Sequence, residues 1–434
     1  MQAGLSTKNA PSPSVVLPHY AAGAIFFIIA SVLLIFASHD LANTYIGPKI
    51  LGLTHIMVLG WVTIIIFGAL YQLIPVVMEV KLFSEPLAHI SFYSIVVGTV
   101  LLSYSFWNNY IGKTIYMEIG GGLIFLSVIL FAVNVLFSAL KTTNKTIENT
   151  FIVTAAGWLF LTVSIGILIT VNLVFHFIPK TSLELLRIHV HFGIAGWFMM
   201  LIIGVASTLL PMFFISHKLN KQYLKLSYFL TNSGLIILAV LMYFDVNMWL
   251  KGSAGLILLV GIIFFIKYNY DAYKKRLRKK LDIGMKLSVF AFIPLFLTLL
   301  FGILAVLNLD FLSKIQTSIN TAYGVSLIFG FFTALILGQM YKTLPFIVWL
   351  KMYQDKVGKY KIPMPAHIYS EKVADWHYYS FLVAIFTLLI GIFAKESIII
   401  QISAAAFIVT SVLYAYNTYK ILFHKDQSEP LETK

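Results

Sequence analysis

The sequence has no cysteine and very little charge. Of its 434 residues, 11% are Asp, Glu, Lys or Arg, whereas 59% are hydrophobic. Without thiols the chain cannot form disulfides, thiolate zinc sites, iron–sulfur clusters, a thiolate-bridged copper centre or the C-x-x-C-H attachment of c-type haem. The scarcity of charge excludes a water-soluble enzyme, a coiled coil and a disordered protein, because each of these needs far more polar surface.

Long apolar runs make up most of the chain. Twelve segments of roughly 20–28 residues are each long enough to cross about 30 Å of hydrocarbon. They centre on residues 20–38, 50–77, 87–105, 116–140, 151–176, 188–214, 222–244, 250–270, 286–307, 319–350, 377–394 and 397–423. The loops between them are too short for a soluble domain. The sequence therefore predicts an all-α polytopic membrane protein with 12 transmembrane helices.

The positive charge is distributed unevenly between the predicted loops. The formal net charge is +14, and with an inside N-terminus 24 of the 31 Lys and Arg residues fall on the cytoplasmic side. The positive-inside rule then places both termini in the cytoplasm, in a bacterial-type inner (plasma) membrane. The basic run 273–280 is interpreted as an anchor at the anionic lipid surface, and no nucleic-acid partner is expected.

We expect one membrane domain between two short tails. Residues 1–17 are polar and contain proline, so the first span is predicted to be an uncleaved anchor that follows a cytoplasmic tail. Residues 18–423 form the membrane domain, and residues 424–434 form a cytoplasmic C-terminal tail.

An internal repeat is visible in segments 54–75, 190–211 and 324–345, each of which ends in proline. Each segment carries glycine 15 residues and again 7 residues before its proline, and an aromatic residue follows the first glycine. The prolines are 136 and 134 residues apart, which makes one repeat four spans long. Glycine and proline are common in transmembrane helices, but their fixed offsets favour a true repeat. We predict three pseudo-symmetric four-helix repeats, at about 18–145, 146–282 and 283–423.

Five of the eleven histidines gather at the predicted outer face, and the other six are expected to be interfacial residues at cytoplasmic helix ends. The outer five are His39, His55, His176, His189 and His191. A histidine inside a lipid-spanning helix usually faces the bundle interior or a cavity. His55 and His191 share one repeat position, where the third repeat has Val325. His55, His189 and His191 are therefore the main candidate metal or haem ligands, followed by His176.

The surroundings of these histidines favour haem over a bare metal ion. His189 and His191 differ by about 200° around a helix, so they face two clefts and cannot share one ion. Imidazole suits haem iron, copper and zinc, but the neighbouring side chains are mostly Phe, Trp, Met and Gly. Arg187 and Lys180 lie where haem propionates would need cations. Arg187 is equally well interpreted as a snorkelling interfacial residue.

These features resemble subunit I of the haem–copper oxidase superfamily, particularly its nitric-oxide reductase and C-type oxidase branches. The resemblance rests on segment 188–213, with its His-x-His at the start of an inner helix, and on segment 59–75. It implies one or two b-type haems, with His189 and His191 ligating different haems and His55 as an opposite axial ligand. The family carries His-x-His in span 10, whereas here it lies in span 6, and span 7 lacks the histidine pair of the active-site copper.

The predicted function is electron transfer, or binding or reduction of NO or O2, near the outer face. A quinol, a cytochrome c or a partner subunit is the expected electron donor, and any enzymatic activity would be that of an oxidoreductase. One alternative is a haem-free copper- or zinc-binding or transport protein, in which Met57, Met117, Met199 and Met200 could support copper. Another is a scaffold or assembly subunit that has the architecture without the chemistry.

Overall fold

The computed structural model describes residues 9–112, 114–307 and 309–430. Within these residues, twelve helices are long and apolar enough to cross a membrane. In chain order, spans 1 to 12 are Pro13–Phe36, Pro48–Val77, Glu85–Trp107, Ile115–Ala139, Ile147–Phe175, Ser182–Phe214, Gln222–Tyr243, Met248–Lys274, Ile283–Leu307, Asp310–Lys356, Glu371–Ala394 and Ser397–Leu422. The chain is thus an all-α, multi-pass membrane protein, as the apolar runs predicted. Residues 1–8 and 431–434 of the two predicted tails lie outside the described residues.

Four of the spans are composite helices. Span 9 divides into Ile283–Phe290 and Phe292–Leu307. Spans 2, 6 and 10 each contain a π-helical segment: Ile56–Thr63, Phe192–Met199 and Ser326–Phe332. Single-turn π-bulges are the common form, so segments of seven or eight residues are unusual. All three begin 19 residues before the proline of their span, at the same position of the sequence repeat.

The repeated glycines mark close approaches to the preceding span. At the glycine 15 residues before each proline, an added Cβ would lie 2.5 to 2.7 Å from a side chain of that span. The pairs are Gly60 with Phe26, Gly196 with Trp158, and Gly330 with Pro294. These distances are far below van der Waals contact, so only glycine allows the two helices to approach this closely.

Local capping chemistry determines where spans 5 and 6 begin. Thr146 accepts a hydrogen bond from the Asn149 N–H at the start of span 5. Thr181 and Glu184 form a reciprocal capping box at the start of span 6. Span 5 ends at His176, which adopts a left-handed backbone conformation with φ of 51°. Glu184 and His176 therefore both have local structural roles.

Internal contacts divide the chain into two compact units. Among the described residues, unit 1 contains Tyr71–Gly98 and the chain from Ile111 to Lys280, and unit 2 contains Ser12–Leu70, Thr99–Tyr110 and the chain from Leu281 onward. In unit 1, span 5 packs on spans 4 and 6, and span 7 packs on span 8. The single membrane domain inferred from the sequence stays a prediction.

Unit 2 has its own helix pairs and short elements. Span 12 packs on spans 1 and 11, and span 9 packs on span 10. In its core Trp61 stacks on Phe27, with 4.5 Å between the ring centroids. Its short elements are the helix Ser38–Asn43, the 3-10 turns Asp310–Ile315, Gln354–Lys356 and Pro365–His367, and the antiparallel strands Tyr360–Lys361 and Glu429–Pro430.

Candidate functional site

His55 is held by its own helix in one tautomer. It is the last residue of the α-helical start of span 2, directly before the π-helical segment. Its Nδ1 lies 2.8 Å from the carbonyl oxygen of Leu51. Because a carbonyl only accepts, Nδ1 carries the hydrogen and the neutral ring presents its lone pair at Nε2. This arrangement, with one ring nitrogen donating to a carbonyl and the other available to a metal, is typical of ligating histidines.

His191 repeats the same arrangement in span 6. It too is the last α-helical residue before the π-helical segment. Its Nδ1 donates to the carbonyl oxygen of Arg187 over 2.7 Å, four residues earlier, as His55 does to Leu51. Both imidazoles are partly exposed. His55 and His191, which share one repeat position, therefore have the same ring orientation in spans 2 and 6.

His189 is instead oriented by the neighbouring helix. Its Nδ1 donates to the carbonyl oxygen of Thr162 in span 5 over 2.9 Å. Gly166, one turn further along span 5, lies beside the ring, and a Cβ there would be 3.2 Å from Cε1 of His189. Both histidines of span 6 lie in the regular helix Ser182–His191. The carbonyl that fixes the tautomer of His189 belongs to span 5, whereas the carbonyl that fixes the tautomer of His191 belongs to span 6 itself.

Span 10 also has an aromatic ring against a glycine of the preceding span, but that ring is a tyrosine and not an imidazole. Tyr323, 22 residues before Pro345, stands where His189 stands before Pro211. Gly302 of span 9 faces its ring, since a Cβ there would lie 3.1 Å from Tyr323 Cε2. The histidine ligands predicted from the sequence thus have no counterpart in span 10.

The remaining predicted site residues lie on exposed surface or in local structure. The side chain of Arg187 is exposed, as are His176 and His39. Lys180, expected near propionates, pairs with Glu184 at 3.2 Å. Throughout residues 9–112, 114–307 and 309–430, no group of three or more His, Asp or Glu side chains is gathered so that it could hold a metal ion.

The four methionines that could have supported copper are core residues. Met57, Met117, Met199 and Met200 are all at most 2% exposed. The sulfur of Met200 accepts a hydrogen bond from Asn232 Nδ2 over 3.8 Å. Their burial favours packing as their role.

Two of the six histidines expected at the cytoplasmic interface are buried. His19 is 1% exposed and His377 is fully buried. His377 Nδ1 lies 3.2 Å from the hydroxyl of Tyr341, which accepts a hydrogen bond from Asn417 Nδ2. Position near a helix end did not reveal this burial, because it depends on helices that are distant in the sequence.

A polar cavity in unit 1 was missed by the sequence reasoning. It has a volume of about 540 Å³, and the buried carboxylate of Glu148 is one of its lining groups. The sequence does contain a signal for it, since Glu148 is an acidic residue in the first turn of an apolar span.

The chain matches no known protein-family model. It is similar to an uncharacterized protein of Aquifex aeolicus (strain VF5), with 28% identity over 305 residues. The matched region covers 69% of this chain and 72% of that protein.

Proposed function

We propose that the protein is a b-type haem-binding membrane protein built like subunit I of the haem–copper oxidases and nitric-oxide reductases. His55, His189 and His191 are the residues that would hold the haem iron, and Arg187 is the cation that would pair with a haem propionate. A haem held there would supply electron transfer and the binding or reduction of NO or O2. We also propose a bacterial-type inner membrane with both termini cytoplasmic.

The observation that carries this proposal is the tautomer that the three imidazoles share. Each donates its Nδ1 hydrogen to a backbone carbonyl, at 2.8 Å in His55, 2.9 Å in His189 and 2.7 Å in His191. The neutral rings of His55 and His191 therefore present Nε2 as an electron-pair donor, which a ligand of haem iron needs, and His189 carries its hydrogen on the same nitrogen.

The proposed three-repeat architecture has separate support. The π-helical segments begin at one common offset from the three prolines, and the first repeated glycine meets the preceding span in each of the three. In the proposed scaffold, spans 2, 6 and 10 are equivalent inner helices, and only the first two carry a histidine directly before the π-helical segment.

The first test is optical and needs protein purified in detergent from cells supplied with ample haem. We expect a b-type reduced-minus-oxidised spectrum, confirmed by a pyridine haemochrome assay. His55→Ala, His189→Ala and His191→Ala should each reduce the haem content or change the spectrum. Added CO or NO should shift the Soret band where an axial position is open.

His176→Ala is the matched control, because it removes an exposed imidazole at the end of a span. Its spectrum should equal that of the wild type, and size-exclusion chromatography should show all variants folded. A wild-type protein without a Soret band would contradict the proposal. Bound copper or zinc would then identify a metal-binding protein, and neither metal would leave a scaffold subunit.

A further inference from the structure

The cavity of unit 1 combines a buried floor with a charged mouth. Its lining includes residues that precede or open span 5, the end of span 6 with the loop after it, and Tyr268 of span 8. The volume of about 540 Å³ falls within the roughly 300–1,000 Å³ of small-molecule sites. The cavity is therefore large enough for an organic ligand and not only for one or two waters.

The floor presents hydrogen-bonding groups without protein partners. Glu148 is 6% exposed and Ser207 is 3% exposed. Glu148 Oε1 lies 2.9 Å from Lys221 Nζ, whereas its Oε2 has no hydrogen-bond partner among the described residues. The Ser207 hydroxyl likewise has none in that part of the chain. Leaving such buried groups unsatisfied is unfavourable, so an occupant with hydrogen-bond donors would be stabilised there.

Charged groups of both signs line the rest of the cavity. Lys218, His217 and Glu79 are exposed, and so is Lys221, which pairs with the buried Glu148. Cations at the mouth would attract an anionic group, while the unpartnered carboxylate oxygen on the floor would attract an N–H donor. A ligand with only a negative charge would be repelled by Glu148, and a ligand with only a positive charge would have no favourable interaction with Lys218.

We propose that this cavity binds a ligand with a primary ammonium group next to an anionic group, the chemistry of an ethanolamine phosphate. The ammonium occupies the floor and donates to Glu148 Oε2 and Ser207 Oγ. The anionic group lies at the mouth near Lys218 and His217. Such a ligand is either a phosphatidylethanolamine headgroup of the surrounding bilayer or a free aminoalkyl phosphate. This site is independent of haem binding.

The binding experiment uses the full chain in detergent and follows thermal unfolding by tryptophan fluorescence. The probes are phosphoethanolamine, phosphocholine and the short-chain lipids dihexanoyl-phosphatidylethanolamine and dihexanoyl-phosphatidylcholine. A ligand of the native state raises the unfolding midpoint with concentration. We expect the ethanolamine compounds to bind roughly tenfold or more tightly than the choline compounds, because a quaternary ammonium has no N–H to donate.

Glu148→Gln and Ser207→Ala test the floor. Each should weaken ethanolamine-compound binding, Glu148→Gln by roughly tenfold or more because a charged hydrogen bond is lost. Asp245→Asn is the matched control, since Asp245 is another lysine-paired carboxylate of unit 1, 2.6 Å from Lys251 and away from the cavity lining. That ion pair holds the pKa of Asp245 below its usual value. Asp245→Asn should leave the binding of the ethanolamine compounds unchanged.

Each outcome decides one part of the proposal. Binding of both ethanolamine compounds supports a site for the free phosphate ester, and binding of the lipid alone supports a headgroup site. Equal binding of ethanolamine and choline compounds, or no binding of any probe, would overturn the proposal. If Glu148→Gln does not fold, an unchanged affinity in Ser207→Ala together with Lys218→Ala would also overturn it.

Discussion

Single backbone carbonyls determine which ring nitrogen of His55, His189 and His191 can act as a ligand. Leu51 and Arg187 provide those carbonyls from the same helix, and Thr162 provides one from span 5. The sequence was sufficient to select His55, His189 and His191, because histidines are rare inside apolar spans. It could not give their tautomers, since the contact of His189 with Thr162 joins residues 27 positions apart on two helices.

Gly166→Ala should change the haem environment at His189 without removing the haem. The added methyl group would lie 3.2 Å from Cε1, so the imidazole must shift by a few tenths of an ångström. We expect an altered reduced-minus-oxidised spectrum at wild-type haem content. Gly157→Ala in the same span is the control, because nothing lies within 4 Å of a Cβ there. Wild-type spectra in both variants would contradict a ligand role for His189.

The polar cavity of unit 1 could not be predicted from single residues. Glu79 and Glu148 both line this cavity, yet Glu79 is exposed, whereas Glu148 is buried and one of its carboxylate oxygens has no partner among the described residues. Whether a carboxylate at a helix start is solvated or buried depends on what packs against that end. For Glu148, the cavity-lining residues of spans 6 and 8 determine that burial.

At the scale of elements, spans 2, 6 and 10 share an irregular helix geometry. Their π-helical segments begin directly after the histidine position and contain the first of the two repeated glycines. The glycine and proline offsets predicted equivalent helices, but hydropathy has no signal for a change in hydrogen-bond register. A π-helical segment shifts the side chains that follow it around the helix axis, and it is often found at functional sites.

Gly330→Ala should destabilise the contact between spans 9 and 10. Its Cβ would lie 2.6 Å from the ring of Pro294, which cannot change rotamer to make room. Overpacking of this kind costs about 1–3 kcal/mol, so we expect a clearly lower unfolding midpoint in the same detergent.

Gly324→Ala, in the same span, is the matched control for that substitution. An added Cβ there has nothing within 4 Å, and alanine is favoured over glycine in a helix by about 1 kcal/mol. Its unfolding midpoint should equal or exceed that of the wild type. Equal midpoints in the two variants would show that the Gly330 contact is not a tight one.

At the scale of the whole molecule, the distribution of charge predicts how the chain is oriented in the membrane. The absence of cysteine allows that orientation to be tested by labelling introduced cysteines. The native chain has no thiol to react, so single cysteines can be introduced without background labelling. Phe177, in the loop after span 5, and Lys279, in the loop after span 8, are both exposed. They lie on opposite sides of the membrane in the orientation that the positive-inside rule predicts.

Phe177→Cys should react with a membrane-impermeant maleimide in intact cells, and Lys279→Cys should react only after the membrane is permeabilised. The label is detected by a mass shift of the purified protein. The two variants control for each other, because both cysteines are placed at exposed positions. The reverse pattern would invert the proposed orientation and place the outer histidines in the cytoplasm.

The number and approximate limits of the apolar spans follow from the sequence alone, because crossing hydrocarbon needs about 20 consecutive apolar residues. The candidate histidines and the repeated glycines can also be identified from the sequence, because polar and small residues differ clearly from the apolar residues around them. Only the tertiary structure decided which ring nitrogen faces outward, where the helices become π-helical and which oxygen of Glu148 is left without a partner. The tautomer of His189 and the surroundings of Glu148 depend on atoms that packing brings together from separate helices, whereas His55 and His191 are oriented by carbonyls of their own helices.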